Sequence, residues 1–353
     1  MSFKLPSEFA LAVECCAPDA PGRAARAARL AETLDWARFL ATCRRHRIQG
    51  LAWRAIGRWG LSPPADIAAR MELDAVRIAA DGLQSAGICA QLLRESQRVG
   101  IALLFVKGLT LSRLAYGDGF VKMSHDIDIL VPGAEVGRAG ATLIGMDYTM
   151  AAPRYRKLES WHRHHKESVW TRHGSPTIEL HSRLADNRRL IPGIGLGSPT
   201  QLVEVAPGIA LPTLAEDELI AYLSVHGASS AWFRLKWVAD LAALLAGRDP
   251  AGIDRLARRS RVLGAGRAMA VALLLAQRLF GITVSPETER TFVTPACRLL
   301  ATASLRQLLA EREPTERFLG TATIHLSQLL ILPGAGFALS EFARQSGAVV
   351  TRG

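Results

Sequence analysis

The chain lacks the features that mark secreted, membrane-spanning or disulfide-stapled proteins. Its 353 residues include five cysteines, at positions 15, 16, 43, 89 and 297. An odd count without a C-x-x-C pair argues against a disulfide framework and against a thiolate zinc site. Long apolar runs are also missing. The longest, "AMAVALLLAQ" and "LLILPGAGFAL", are too short or too broken to span a bilayer and read as buried helices. The opening "MSFKLPSEFA" has no signal-peptide apolar region, which points to the cytoplasm. There is no internal repeat and no G-x-G-x-x-G fingerprint, so the regularly spaced Gly193, Gly195 and Gly197 of "IPGIGLGSP" read as a loop rather than a dinucleotide site.

Acidic residues are scarce relative to basic ones: 32 Asp and Glu stand against 43 Lys and Arg, a net charge of +11. Such an excess suits anionic partners, namely nucleotides, nucleic acid or acidic surfaces. Most of the cations are arginines scattered through alanine-rich helices, where a solvated face is the plainer reading. What is present in quantity is apolar residue, 49% of the chain against 21% charged, enough for a folded core of one large domain or two.

Periodicity divides the chain in three. Residues 1–98 read as helical, with apolar positions at three-and-four spacing through "LDWARFLATCRRHRIQGLAWRAIGRWG" and a fresh start at Pro63-Pro64. Residues 99–211 carry short strand-like runs, "ALLFV", "DIDILV", "ESVW" and "TIELH", with a helix predicted in "AEVGRAGATLIGM". Residues 212–353 return to helix, with Thr213 expected as an N-cap and Glu216 as its capping-box partner.

The middle segment holds the chemistry. In "HDIDILV" a strand places Asp126 and Asp128 on one face while Ile127, Ile129 and Val131 enter a core. Two carboxylates that close repel, and a hard divalent cation such as Mg²⁺ relieves the repulsion. Upstream, "ALLFVKGLTLSRLAY" reads as strand, glycine turn and helix. Gly108 lets the backbone approach a ligand, the helix start offers free N–H groups to an anion, and Lys107, Ser112 and Arg113 stand near. Downstream, "TIELHSRL" puts Glu179 and His181 on one strand face. Each part has a bland counterpart: a chance D-x-D, a glycine that ends a strand, an exposed acid. Their order along the chain, glycine turn, D-x-D and then a later acid, is what two-metal phosphoryl transfer calls for.

Through "VKGLTLSRLAY", "HDIDILV", "HHKESVW", "IELHSRL" and "HGASSAWFRLKWVADLAALL", the chain resembles the bacterial uncharacterised nucleotidyltransferase family. That family lies within the superfamily typified by DNA polymerase beta, and the resemblance covers roughly residues 30–250. It implies an α+β fold: a polymerase-beta-like core on a mixed β-sheet, flanked by N-terminal helices and a C-terminal helical domain. It implies transfer of a nucleoside monophosphate from an NTP, with ATP the expected donor, and Mg²⁺ or Mn²⁺ as cofactor. Carried over by residue, Gly108 matches the glycine turn, Asp126 and Asp128 the metal-binding pair, and Glu179 the third acid, which would ligate the second ion and accept the proton. Leu109 stands where the superfamily has a small residue, so Thr110 or Ser112 would serve the phosphates. Lys122 stands where many members have Arg, keeping the charge without the bidentate fork.

Other features weigh less. "WHRHHKE" holds His162, His164 and His165 without the further ligands of a zinc site. His165 and His181 are expected at the edge of the site, toward the acceptor, and His226 as lining the nucleotide cleft. "RYRK" at 154–157 and "RLARRSR" at 255–261 lack the interleaved aromatics that stack bases and read as basic surface. Two other classes remain open at this stage: a nucleotide-sugar glycosyltransferase using D-x-D, and a catalytically silent nucleotide-binding module. The acceptor, whether protein, peptide, small molecule or RNA, is not legible.

Overall fold

A computed structural model of the chain describes residues 5–151 and 157–350. Five helices come first: α1 (Ser7–Cys16), α2 (Arg23–Ala31), α3 (Trp36–His46), α4 (Gln49–Trp59) and α5 (Ala65–Arg98). The central segment follows as β1 (Leu104–Phe105), α6 (Leu109–Tyr116), β2 (Asp126–Leu130), α7 (Val136–Gly145), β3 (Thr149–Met150), α8 (Leu158–His164), β4 (Glu167–Thr171) and β5 (Thr177–His181). A hairpin of β6 (Thr200–Ala206) and β7 (Ile209–Leu214) closes it. The remainder is helical: α9 (Glu216–Ser229), α10 (Leu235–Leu245), α11 (Pro250–Val262), α12 (Gly266–Phe280), α13 (Pro286–Phe292), α14 (Pro295–Leu308), α15 (Ala322–Gln328) and α16 (Ala335–Val350). The chain is α+β, with a mixed sheet as expected, and Val76–Leu219 forms one compact unit while the flanking helical segments form another.

In the sheet-bearing unit the strand order is β1-β2-β5-β4-β3. Among the described residues only the β2–β5 pair is parallel, and the chain between those strands supplies α7, β3, α8 and β4. Alternation sorts the side chains. Ile127, Ile129, Ile178 and Leu180 are buried in one cluster with Val136, Ala139 and Leu143 of α7. Their strand neighbours Asp126, Asp128, Glu179 and His181 are left to the other face. Helix α7 packs close because residue 140 is glycine: a Cβ there would lie 2.6 Å from Leu158 Cδ2 and 3.3 Å from the Trp170 ring.

The hairpin corrects one expectation. Thr213 is no helix cap. It is fully buried in β7 opposite Gln201, and α9 begins at Glu216 with Glu216, Asp217 and Glu218 in its first turn, where acidic groups suit the positive end of the helix dipole. The apolar run of α12 is a buried helix, with Ala268–Leu273 at most 2% exposed, and among the described residues no helix is long and apolar enough to cross a membrane. All five cysteines are free and buried. Arg154, Tyr155 and Arg156 of the "RYRK" stretch lie outside the described residues. The "RLARRSR" stretch lies in α11, where Leu256, Ala257 and Ser260 are buried and the arginines form the exposed face.

Within the helical unit, α3 is joined to the start of α10 by a buried polar contact. The Leu235 N–H donates to His46 Nδ1 at 3.1 Å, and His46 is 2% exposed. Burial, with Arg45 also nearby, pushes the imidazole pKa down to about 3. The folded-state value lies below the ordinary 6.5, so the neutral ring contributes stability that is fully present above pH 6.5 and is lost as pH falls toward 3. Each pH unit in that window corresponds to about 1.4 kcal/mol. The stability advantage of the wild type over His46→Gln should therefore shrink by about 2 kcal/mol between pH 6.5 and pH 5, as measured by urea unfolding. An advantage that is flat with pH would show that the fold leaves the His46 pKa at its unfolded value.

Candidate active site

The site is built by register. In the parallel β2–β5 pair, Asp128 lies opposite Glu179 and Leu130 opposite His181. In the antiparallel β4–β5 pair, Glu167 lies opposite His181. Period-two alternation therefore brings Asp128, Glu179, His181 and Glu167 onto one face. His181 sits among the acids: Nε2 is 3.1 Å from Asp128 Oδ1 and 3.4 Å from Glu179 Oε2, while Nδ1 is 3.3 Å from Glu167 Oε2. The side chains of Asp128 and His181 are each 1% exposed and that of Glu179 is 22% exposed, so the cluster is buried and open at the Glu179 end.

Two lysines compensate the acids. Antiparallel pairing of β1 with β2 places the chain just beyond Phe105 beside Asp128, whose carbonyl accepts from Val106 N–H at 3.2 Å. The next residue, Lys107, reaches the Asp128 carboxylate, with Nζ to Oδ1 at 2.7 Å. On the other side Lys166 pairs with Glu167. Burial alone would raise the Asp128 pKa, but Lys107 and His181 outweigh it and hold the carboxyl well below its usual range. Burial would lower His181, but Asp128 and Glu179 outweigh it and raise the imidazole. Burial raises Glu179, and the neighbouring Asp128 and Glu167 charges push in the same direction. Glu167 is lowered, burial being outweighed by Lys166 and His181.

Beside this cluster a small cleft is lined by Lys107, Gly108, Lys122, Ser124, Asp126 and Asp128, with Asp81 and Ser85 of α5 on another wall. Gly108, at the N-terminus of α6, has φ 66° and ψ −123°, a backbone that side chains resist. A Cβ there would lie 3.5 Å from Ser124 Oγ, whose hydroxyl donates to the Asp126 carbonyl at 3.0 Å.

The expected residues divide. Lys107, Gly108, Lys122, Asp126 and Asp128 share the cleft, and Asp128 joins Glu179 and His181 in the cluster. Thr110 lines the cleft too, but its hydroxyl donates to the carbonyls of Phe105 and Lys107. Ser112 and Arg113 are turned elsewhere: Ser112 is buried and donates to the Asp118 carbonyl at 2.7 Å, and Arg113 is exposed and donates to the Gly117 carbonyl. Helical spacing carries both around α6 from its start. His165 stacks on Trp161 with ring centroids 3.6 Å apart. His226 belongs to α9 in the helical unit and packs edge-on against Trp237. His162 is buried between Ser168 and Ser182, bonded to their hydroxyls at 3.0 and 2.9 Å, and burial lowers its pKa to about 4. Glu167 and Lys166 escaped the sequence reading, although alternation in "ESVW" was enough to put Glu167 and Val169 on one face.

The donor set fits a divalent cation. One atom from each of Asp128, Glu179 and His181 lies within 4.8 Å of the other two, a spread that metal–ligand bonds of about 2.0–2.6 Å can close. Asp126, two residues earlier on the same strand, stays outside this group and faces the cleft. No curated protein sequence matches the chain. Residues 32–281 match the model of a family described as uncharacterised nucleotidyltransferase. That span exceeds half the chain and contains every residue of the cleft and the cluster, and the chain accordingly belongs to the uncharacterised nucleotidyltransferase family.

Proposed function

We propose that the protein is a metal-dependent enzyme that moves a nucleoside monophosphate from an NTP, with ATP the first donor to test, to a hydroxyl or phosphate acceptor, releasing pyrophosphate. The acceptor is a protein, peptide, small molecule or RNA. The observation that carries this reading is the placement of Asp128, Glu179 and His181 as one buried donor set beside a glycine turn that opens a helix. In this reading Gly108 and the first N–H groups of α6 receive the triphosphate, and Lys107 and Lys122 add positive charge. Asp126, from the cleft side, would hold Mg²⁺ or Mn²⁺ together with Asp128 and Glu179, and His181 is available as a nitrogen ligand. The bound cations would neutralise phosphate charge and acidify the acceptor hydroxyl. Glu179, partly open and with a raised pKa, is placed to receive the acceptor's proton. Beyond that, the protein's work is positioning and charge stabilisation.

Incubation with α-labelled NTPs and cell lysate tests the reaction class directly. Label should pass to a macromolecular or small-molecule fraction only with Mg²⁺ or Mn²⁺, and Asp128→Ala should abolish it. Full transfer in EDTA would overturn the metal-dependent reading.

The turn makes a separate demand. Gly108→Val forces a β-branched side chain into a positive-φ position where phosphate would approach the backbone, and should weaken NTP binding at least ~10-fold, about 1.4 kcal/mol. Ser112→Ala, whose hydroxyl faces Asp118, should bind NTP like the wild type. Equal affinity in the Gly108→Val variant, measured by calorimetry, would remove the cradle.

Chemistry separates from binding at Glu179. Glu179→Gln keeps the shape but not the charge. It should bind Mg²⁺–NTP nearly as the wild type does and turn over at least ~100-fold more slowly, a loss of about 2.7 kcal/mol in transition-state stabilisation. Near-normal kcat at saturating nucleotide and acceptor would assign Glu179 a structural role only.

A further inference from the structure

Glu167 has no part in the chemistry proposed above, yet it shares a buried face with the residues that do. It lies in β4 opposite His181, and its Oε2 stands 3.3 Å from His181 Nδ1, on the side of the ring away from Asp128 and Glu179. The ring therefore separates Glu167 from the donor set, which Asp128, Glu179 and His181 make without it. Nδ1 is sealed from solvent and faces Glu167 Oε2 at 3.3 Å off the hydrogen-bond line, while Nε2 is hydrogen-bonded to Asp128 Oδ1 at 3.1 Å.

The mounting is firm. Lys166 pairs with the same carboxylate oxygen that faces Nδ1. The backbone on either side is tied down, with the Trp161 indole N–H donating to the Glu167 carbonyl at 2.7 Å and the Ser182 N–H to the Lys166 carbonyl at 2.9 Å. A carboxylate at one ring nitrogen fixes which nitrogen carries the proton and turns the lone pair of the other toward a cation.

We propose that Glu167, anchored by Lys166, is a positioning residue that holds His181 with Nδ1 protonated and Nε2 directed at the cation site formed with Asp128 and Glu179. The inference rests on the reading of that cluster as a metal site. It assigns Glu167 no contact with nucleotide or acceptor. Its removal should loosen the cation and slow turnover while leaving nucleotide recognition at the Gly108 turn in place. A purely structural ion pair would instead lower the melting temperature and leave cation affinity alone.

The test is Mn²⁺ binding to the full-length protein without nucleotide, followed by electron paramagnetic resonance, together with kcat and KM for the NTP. In Glu167→Gln, Mn²⁺ affinity and kcat should each fall about 10–100-fold. The NTP KM should stay within about twofold. Glu167→Asp, which keeps the charge on a shorter stem, should fall between the wild type and Glu167→Gln. If Glu167→Gln fails to fold by circular dichroism, Lys166→Met replaces it and should weaken Mn²⁺ at least ~3-fold by freeing the carboxylate. Wild-type Mn²⁺ affinity in every folded variant overturns the positioning role and leaves the nucleotidyltransferase reading standing. A wild-type protein that binds no Mn²⁺ overturns the metal reading and the positioning role together.

Discussion

The sheet-bearing unit is arranged around one electrostatic constraint, the packing of three carboxylates, one buried and two half-buried, against a single buried imidazole. Removing an ion from water carries an effective penalty of several kcal/mol, and the mutual attraction of charges recovers it only when each lone pair and proton finds a partner. Here the partners come from three strands and a turn: Lys107 from beyond β1, Asp128 from β2, Glu179 and His181 from β5, and Lys166 with Glu167 at β4. A one-residue slip in either pairing would carry half of this set into the apolar cluster that Ile127, Ile129, Ile178 and Leu180 form on the other face. The apolar alternation therefore specifies the register, and the register specifies the site. An apolar replacement of the cluster would fold with less difficulty, so the cluster is a candidate for chemistry rather than a source of stability.

The parts legible in the sequence are those whose structure is local. The D-x-D strand and "TIELH" could be placed because alternation assigns each residue a face without knowledge of its partner, and Gly108 because its place between a strand and a helix is itself a backbone requirement. Residues whose role depends on partners could not be placed. Lys107 was expected on phosphate, and only the β1–β2 register shows that it reaches Asp128. Ser112 and Arg113 follow the glycine by four and five residues, and helical rotation directs them to Asp118 and Gly117 instead. Glu167 needed the antiparallel β4–β5 pairing before it had a neighbour at all.

The β6–β7 hairpin was hidden for a different reason. Pro212 lies inside β7, and a proline in a short run argues against a strand wherever its missing N–H would be needed. Thr213 followed by Glu216 also copies the spacing of a capping box. Tertiary pairing overrode both signals, since Thr213 is buried opposite Gln201 and the helix starts only after the strand has ended. Where a local motif and a non-local pairing compete for the same residues, burial of Val203, Val205 and Leu211 decides.

The charge count within the cluster gives the last step. Asp128, Glu167 and Glu179 set three negative charges against the two ammonium groups of Lys107 and Lys166, so a neutral His181 leaves one negative charge uncompensated in a buried place. A single proton would discharge that excess, and the two pKa values raised within the cluster are those of His181 and Glu179. Either proton would occupy a donor that the proposed cation site uses, the imidazole lone pair or the carboxylate of Glu179. A divalent cation among Asp128, Glu179 and His181 would more than offset that excess without a proton, leaving His181 neutral and Glu179 ionised. The field that raises these two pKa values is thus also the field that would draw a cation in, and Lys107 at Asp128 moderates it.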